Sequence, residues 1–241
     1  MTPSDTLTKA VRAALESEPA VDLHHNAIAV EERDGLVTLN GEVGDIVAKR
    51  LAPHLVAAVP GVHGVLDRLR VTPSEPRGDG AILDHLYAAL TQEPCFRSYA
   101  IEVRAQGRPE LSTGPRDGDI GSIEITVADG VVTLEGHVES LTHKRLTDVL
   151  AWWVTGTVDV DNRLRVVPPE QDSDDEITDA VRIVLEKDPW LDASQIRVRT
   201  QERQVTLEGL LHSREQKEMA EWDVWYVLGV HGVTNNIEVR P

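Results

Sequence analysis

Val37-Thr38-Leu39-Asn40-Gly41 returns twice along the chain with a single variable position. The later copies are Val132-Thr133-Leu134-Glu135-Gly136 and Val205-Thr206-Leu207-Glu208-Gly209. In every copy a helix-like stretch that closes on an acidic residue and a proline precedes the motif. A Gly-Val-like turn and an alternating strand follow at the same distance. The chain is therefore three copies of one small module, because self-similarity at this spacing marks a repeat architecture.

The first helix predicted for each module carries an apolar stripe. Apolar residues at positions i, i+4 and i+8 lie on one helical face. The stripes are Leu7, Val11 and Leu15; Ile82, Leu86 and Leu90; and Ile177, Val181 and Leu185. The predicted N-caps are Ser4 or Asp5, Asp79, and Ser173 or Asp174. Each helix should end before a proline, because proline disfavours helix in the preceding residue.

A β-hairpin is predicted after the first helix. Apolar residues alternate on both sides of Asp34-Gly35 and of Asp129-Gly130. An Asp-Gly pair between alternating segments is the strongest short-range hairpin signal, because the turn needs positive φ angles that glycine tolerates. The third module has Glu202-Arg203 at this point. This departure predicts a different loop geometry there.

A second helix and a last strand complete the predicted module. The helix should be terminated by Gly61, Gly156 and Gly229, which suit a left-handed position. A right-handed crossover then lays the third strand parallel to the second. The predicted fold class is α+β, with three tandem αββαβ modules. Each module has two helices packed on one face of a three-stranded mixed sheet.

The domain boundaries follow from this frame. Module 1 spans residues 1–72, module 2 spans 78–168 and module 3 spans 173–241. Module 2 carries an insertion near 104–122 that is rich in Gly, Pro and charge. A loop of that length is functional or flexible. We expect a flexible loop, and a partner-contacting arm is the competing interpretation.

Composition narrows the class of protein. The 241 residues carry a formal charge of −17 and a single cysteine, Cys95. An internal disulfide and a thiolate-built metal site are excluded. The excess of carboxylates disfavours nucleic acid and acidic lipid as partners. A leader segment and a membrane span are not visible. The prediction is a cytoplasmic protein, with peripheral membrane association still allowed.

The segment Pro60-Gly61-Val62-His63-Gly64-Val65, together with the Val-Thr-Leu-x-Gly strand, resembles the BON family, the bacterial osmotically inducible and nodulation domain. Gly229-Val230-His231-Gly232-Val233 and Gly156-Thr157-Val158-Asp159-Val160 repeat the pattern. The resemblance covers nearly the whole chain. It implies an αββαβ sandwich and non-enzymatic members that act at phospholipid interfaces of the bacterial envelope, in osmotic stress, or in chaperone-like protein binding.

Aromatic residues of the second helix are the main candidates for a binding surface. They are Trp152, Trp153, Trp222, Trp225 and Tyr226. Neighbours on a helix point about 100° apart, so an adjacent pair cannot both face the sheet. We favour contacts between modules, where an aromatic ring buries a large area. An exposed surface for a protein partner or a phospholipid membrane, or simple core packing, stays open.

Other candidate sites are better explained by structure. His24-His25 beside Asp22 fits a polar loop better than a metal site, because no second ligand cluster lies within sequence reach. The acidic run that starts at Asp172 lacks the glycine and the spacing of a calcium loop. His63 and His231 lie in Gly-x-x-Gly turns without the basic flanks that RNA-binding loops carry.

The motif glycines are predicted to serve backbone geometry. They are Gly41, Gly61, Gly136, Gly156, Gly209 and Gly229. Nucleophile-elbow, P-loop and dinucleotide motifs are missing from the sequence. We therefore expect neither an enzyme nor a cofactor or metal. The leading prediction is a stress-related or envelope-related protein that binds phospholipid surfaces or protein partners. The alternative is a structural protein whose modules pack together or form a homo-oligomer.

Overall fold

The computed structural model of the chain describes residues 3–23, 26–105, 108–112 and 118–240, with side chains for all of these except 3–5, 105 and 108–112. Its residues group into two compact units, 1–72 and 73–241. The helices are α1 (Pro3–Glu16), α2 (Ile46–Ala57), α3 (Asp79–Gln92), α4 (Leu141–Trp153), α5 (Asp174–Lys187) and α6 (Arg214–Tyr226). The strands are β1 (Ile28–Arg33), β2 (Leu36–Val43), β3 (Gly64–Val71), β4 (Tyr99–Ala105), β5 (Arg108–Ser112), β6 (Gly121–Ala128), β7 (Val131–Val138), β8 (Asp159–Asn162), β9 (Arg165–Val166), β10 (Ile196–Gln201), β11 (Gln204–Leu211) and β12 (Gly232–Val239).

The first unit is one αββαβ module. Strand β2 pairs antiparallel with β1 and parallel with β3, so the sheet order is β1-β2-β3. The predicted stripe residues Val11 and Leu15 are fully buried against Val37, Leu39 and Leu69 of the sheet. The parallel crossover through α2 and the single hydrophobic core confirm the predicted module.

The third module repeats this plan within the second unit. Strand β11 pairs antiparallel with β10 and parallel with β12. Helix α5 lies against β10, and α6 lies against β12. Val205 and Leu207 of the repeated motif are fully buried, as are their counterparts in the first module. Alternate residues of one strand therefore build the core of each copy.

The middle module departs from the predicted three strands. Its sheet in the described residues has the order β5-β4-β6-β7-β8, and β9 pairs with the end of β7. Strand β6 supplies the expected hairpin with β7. Strand β4 is an additional strand parallel to β6, and β5 pairs antiparallel with β4. The prediction of a flexible loop is wrong for residues 108–112, because their backbone groups extend the sheet.

The hairpin turn of the third module was also predicted wrongly. Asp34-Gly35 has φ angles of 51° and 80°, and Asp129-Gly130 has 52° and 74°. Glu202-Arg203 has 51° and 62°, so all three modules use the same two-residue turn. An arginine in the left-handed region is strained, since its Cβ approaches the following carbonyl. Contacts from outside the hairpin must therefore hold Arg203 in place.

Carboxylates at the helix starts provide those contacts. The Asp174 carboxylate accepts hydrogen bonds from the backbone N–H groups of Glu202 at 2.7 Å and Arg203 at 2.9 Å. Asp79 binds the turn of the middle module in the same way. Asp79 is therefore not the N-cap that its residue type suggested. The N-cap of α3 is Gly78, whereas Ser173 caps α5 as predicted.

The glycine that closes each Val-Thr-Leu-x-Gly motif is required by the approach of two backbones. Gly41, Gly136 and Gly209 have φ angles of 140°, 121° and 150°. A Cβ on any of them would overlap the backbone carbonyl oxygen of the residue that precedes its partner in the paired strand. Gly61, Gly156 and Gly229 have φ near 100° shortly after the second helix. The predicted role of all six in backbone geometry agrees with these angles.

Candidate partner-binding surfaces

The junction between the second and third modules gathers most of the aromatic candidates. Helix α4 lies against both α5 and α6. The Trp152 side chain is 7% exposed, and its ring centre lies 6.5 Å from that of Tyr226 on α6. Ile183 of α5 packs on the core of the middle module. These contacts make the two modules one compact unit.

A buried arginine links this junction through charge. Arg145 on α4 donates from Nε to the Leu228 carbonyl at 2.8 Å and forms an ion pair with Asp172 in the linker. Arg203 pairs with the same carboxylate at 2.9 Å. Burial opposes the charge of Asp172, but hydrogen bonds and charge from the two arginines outweigh it and lower its pKa. The linker is thereby fixed to both modules.

A second ion pair lies at the other end of these helices. Lys187, near the end of α5, places Nζ 2.8 Å from both carboxylate oxygens of Glu93, which follows α3. Both side chains are largely buried. An ion pair between partly buried groups is screened less than one at the surface. The orientation of the third module is thus set at two separate points.

A pair of carboxyl groups includes Asp188, which directly follows Lys187 of the second ion pair. Asp223 on α6 and Asp188 after α5 are both buried. Burial and the neighbouring charge of Asp188 raise the pKa of Asp223 to about 8, and a hydrogen bond with the indole of Trp153 opposes this. Asp223 therefore holds a proton at neutral pH, and its buried Oδ2 atom has no hydrogen-bond partner among the described residues. No sequence pattern had pointed to this pair.

Two tryptophans that neighbour this pair in sequence are exposed. The Trp222 side chain, adjacent to Asp223, is 49% exposed. Trp190 is 71% exposed, and its backbone N–H donates to Asp188 at 2.8 Å. The Trp190 carbonyl accepts a hydrogen bond from Gln216 of α6 at 2.8 Å. We call Trp190 and Trp222 the tryptophan surface. Trp190 was not among the predicted residues, because it lies outside the second helix.

The five predicted aromatic residues thus divide into two groups. Trp152 and Trp225 are buried, and Trp153 and Tyr226 are partly covered at or near the junction. Trp222 is the member with an exposed ring. Contact between modules, the favoured interpretation, describes Trp152, Trp153 and Tyr226. A role for any of the five in binding a partner or a lipid stays a prediction.

The described residues contain no group of three or more His, Cys, Asp or Glu side chains that could hold a metal ion. His24 and His25 lie outside the described residues, so the structure does not test whether that loop binds a metal ion. Burial and the charge of Glu93 raise the pKa of Cys95 to about 12, which disfavours a reactive thiolate. His143 contacts the Tyr99 hydroxyl at 2.8 Å within an aromatic cluster that includes Phe96.

The fold and these surfaces define a class of protein, the tandem repeat of αββαβ modules. The model of the BON domain matches residues 3–73, 113–168 and 173–241. The chain therefore belongs to the BON domain family, as the sequence predicted, and contains three copies of the domain. The middle match begins after β4, which is consistent with that strand being an addition to the module.

No curated protein matches the chain. Among solved structures, it is similar to the C-terminal domain of CdsD, the structural protein of the Type III secretion system of Chlamydia trachomatis. That similarity has 14% identity and a TM-score of 0.26 and covers 98% of both chains. A second CdsD structure has the same identity and TM-score, with 93% of that chain covered. A TM-score this low supports no conclusion about function. No helix among the described residues is long and apolar enough to cross a membrane.

Proposed function

We propose that the chain is a non-catalytic binding protein that takes up protein partners through the tryptophan surface. The observation that carries the proposal is the exposure of Trp190 and Trp222 next to a firmly packed junction. Large aromatic side chains are seldom left this exposed, and tryptophan is enriched among the residues that dominate protein interfaces. The stress-related or envelope-related setting belongs to the same proposal and derives from the family.

The position of this surface supports the proposal. Trp190 and Trp222 adjoin the Asp188–Asp223 pair, whose hydrogen bonds hold the loop and α6 together. A preorganised surface loses little conformational entropy on binding. Trp152, Trp153 and Tyr226 stabilise the junction and Trp225 is buried, which leaves these two indoles for an outside partner.

The proposal is tested by replacing both exposed indoles. Trp190→Ala with Trp222→Ala should leave the fold intact and reduce the recovery of crosslinked partners from host lysate at least several-fold. The matched control is Leu36→Ala with Leu66→Ala, which removes two exposed apolar side chains from the first module. Equal recovery by wild type and the tryptophan variant would refute a role for this surface.

A phospholipid surface is the second candidate, favoured by the same two indoles, since tryptophan prefers the boundary between lipid and water. The charge of −17 predicts binding to neutral phosphatidylcholine vesicles and weaker binding once phosphatidylglycerol is added. Flotation with both vesicle types measures this. If the protein floats with neither type, the lipid candidate is excluded.

The assembly alternative makes a different prediction. A homo-oligomer built on the tryptophan surface would dissociate when both indoles are removed. Sedimentation equilibrium of wild type and the double variant separates the cases. A wild-type monomer excludes this form of assembly, whereas a dimer that the variant loses would replace partner binding with self-association.

A further inference from the structure

The middle module shows how a strand can be added to this fold. Strand β4 lies beside β6 in parallel, with Tyr99 opposite Gly121 and Val103 opposite Ile125. The side chains of Tyr99, Ile101 and Val103 are buried and complete the hydrophobic core. The outer edge of the first hairpin strand is therefore a competent site for pairing with an extended segment.

Strand β10 is the counterpart of β6 in the third module. Ile123 of β6 pairs with Gly136, and Ile196 of β10 pairs with Gly209, which fixes the equivalence. Among the described residues, no strand lies on the outer side of β10. An edge strand leaves alternate backbone N–H and C=O groups without a strand partner, and these can template another chain.

An open groove lies at the start of β10. Its volume is about 570 Å³, and its lining includes Ile196, Val198 and Gly209 together with Arg182 of α5. Arg182 follows the stripe residue Val181 as Tyr87 follows the stripe residue Leu86, so the two positions are equivalent. Tyr87 packs on the core of the middle module. The third module thus has an open groove at the position that Tyr87 and the side chains of β4 fill in the middle module.

The charges beside the two edges are opposite. In the middle module, Arg104 of the added strand places Nε 2.8 Å from Glu124 of β6. Arg197 occupies the position of Glu124, and Arg199 occupies that of Thr126. Both arginines are exposed. The nearest carboxylate to Arg197 is Glu208 at 3.9 Å, and no ion pair of Arg199 occurs among the described residues.

We propose that the edge of β10 binds an extended acidic segment of a partner protein by parallel strand addition. The segment would pair with β10 as β4 pairs with β6. Its carboxylates would lie opposite Arg197 and Arg199, and its alternate apolar side chains would enter the groove. Cross-strand pairs of opposite charge stabilise such pairing, whereas like charges oppose it. This site is separate from the tryptophan surface and does not depend on it.

The first module lacks these features. Ala29 and Glu31 of β1 occupy the positions of Arg197 and Arg199. The site is therefore specific to the third module. Charged side chains on an edge strand can also act only to prevent aggregation. A strand that only prevents aggregation would not prefer acidic peptides to basic ones. A measured preference for the acidic peptide therefore distinguishes binding from protection against aggregation.

Two labelled peptides based on β4 test the proposal. The acidic probe is acetyl-Tyr-Ala-Ile-Glu-Val-Glu-Ala-amide, and the basic probe has arginine in place of both glutamates. Fluorescence anisotropy at physiological ionic strength should give at least about ten-fold tighter binding of the acidic probe by the full chain. Arg197→Glu with Arg199→Glu should reverse this preference. Hydrogen exchange of β10 amides should slow when the acidic probe is added.

The matched control is Arg68→Glu with Arg70→Glu, which makes the same charge change on β3 of the first module and should leave binding unchanged. If the Glu variant of β10 does not fold, Arg197→Gln with Arg199→Gln should still abolish the preference.

Equal binding of both peptides, binding of neither, or a preference unaffected by the β10 variants would overturn the proposal. So would a wild-type dimer that the β10 variants dissociate, since a second copy would then occupy the edge. Trp190→Ala with Trp222→Ala should retain peptide binding, so this test stands apart from the proposed function.

Discussion

At the scale of single residues, the module depends on positions where a side chain cannot be added. Gly136 has a φ of 121°, and a Cβ there would overlap the Ser122 carbonyl oxygen. The conflict is between two backbones, so a change of rotamer cannot relieve it. The motif glycine is therefore fixed by the distance between strands β6 and β7 and not by any ligand.

The Gly136→Ala substitution should destabilise the protein by about 2–3 kcal/mol, through backbone strain and overlap. Gly80→Ala in α3 is the matched control, because no heavy atom lies within 4 Å of its added Cβ. That control should be neutral or stabilise by about 0.5 kcal/mol, since alanine is the better helix former. Urea unfolding followed by tryptophan fluorescence measures both. Equal effects of the two substitutions would contradict the overlap at Gly136.

Asp223 gives the stability of the third module a pH dependence. Its pKa is about 8 in the folded state, well above the ordinary carboxyl value, because of burial and of Asp188. The folded state therefore holds a proton that the unfolded state releases, and stability falls as pH rises from about 4 to about 8. Asp223→Asn should remove most of this decline and add about 1–3 kcal/mol at pH 8.

Unfolding free energies measured from pH 5 to pH 8 check this expectation. Asp179→Asn is the control, because this exposed carboxylate on α5 pairs with Arg182 at the surface. The control should preserve the wild-type slope. A slope that is the same in wild type and Asp223→Asn would show that Asp223 ionises without cost in the folded state.

At the scale of helices and strands, each hairpin turn of the second unit is held by a helix. Asp174 accepts hydrogen bonds from two N–H groups of the turn that contains Arg203. Arg203 in turn bonds the Asp172 carboxylate. The left-handed conformation of an arginine is thus maintained by residues from another element, with one carboxylate bound to its backbone and another to its side chain.

The Asp174→Ala substitution should destabilise the protein by about 1–2 kcal/mol, because it leaves two turn N–H groups without their charged acceptor. Asp175→Ala is the matched control. Asp175 is exposed in the same first helical turn, so it has a similar effect on the helix dipole but does not reach the hairpin. Its substitution should cost less than about 0.5 kcal/mol. Thermal unfolding of both variants decides whether the hairpin contact matters.

The sequence predicted these elements unevenly, and the reason is physical. Apolar periodicity located the stripe residues of α1, α3 and α5 and the paired strands, because burial of alternate faces is a local signal. The turn at Arg203 was mispredicted because its conformation is imposed by Asp174, far away along the chain. Strand β4 was not predicted as a separate strand of the sheet, because alternation identifies a strand but does not identify its partner.

The candidate surfaces were harder to predict than the fold. The second-helix position of Trp152 and Trp153 indicated contact between modules, and the junction places them there. Trp190 lies in a loop that carries no periodic signal. Asp188 and Asp223 meet only after α5 and α6 have packed. Burial of a polar pair depends on tertiary structure, so neither composition nor spacing could reveal it.

At the scale of the whole molecule, residues 73–241 form one unit and residues 1–72 another. Arg145 ties the second and third modules together through Leu228 and Asp172. All five tryptophans lie in residues 73–241, so their fluorescence reports on this unit alone. The two units should therefore be distinguishable in unfolding experiments.

The Arg145→Ala substitution should destabilise the 73–241 unit by about 2 kcal/mol, because it breaks a buried ion pair. The expected loss of stability is smaller than is usual when a buried ion pair is broken, because Asp172 keeps Arg203 as a partner. Hydrogen exchange should rise across α4 to α6 and stay unchanged in residues 1–72. Arg214→Ala, which breaks an exposed pair with Glu218, is the control and should have little effect. Faster exchange confined to α4 would contradict coupling between the modules.

The strand added to the middle module also sets the valency of the chain. Strand β4 occupies the edge of β6, so among the described residues the edges of this type without an added strand are those of β1 and β10. Ala29 and Glu31 stand on β1 where β10 has Arg197 and Arg199, so an acidic segment would join only the third module. The chain would then be monovalent for such a segment and could not crosslink two of them.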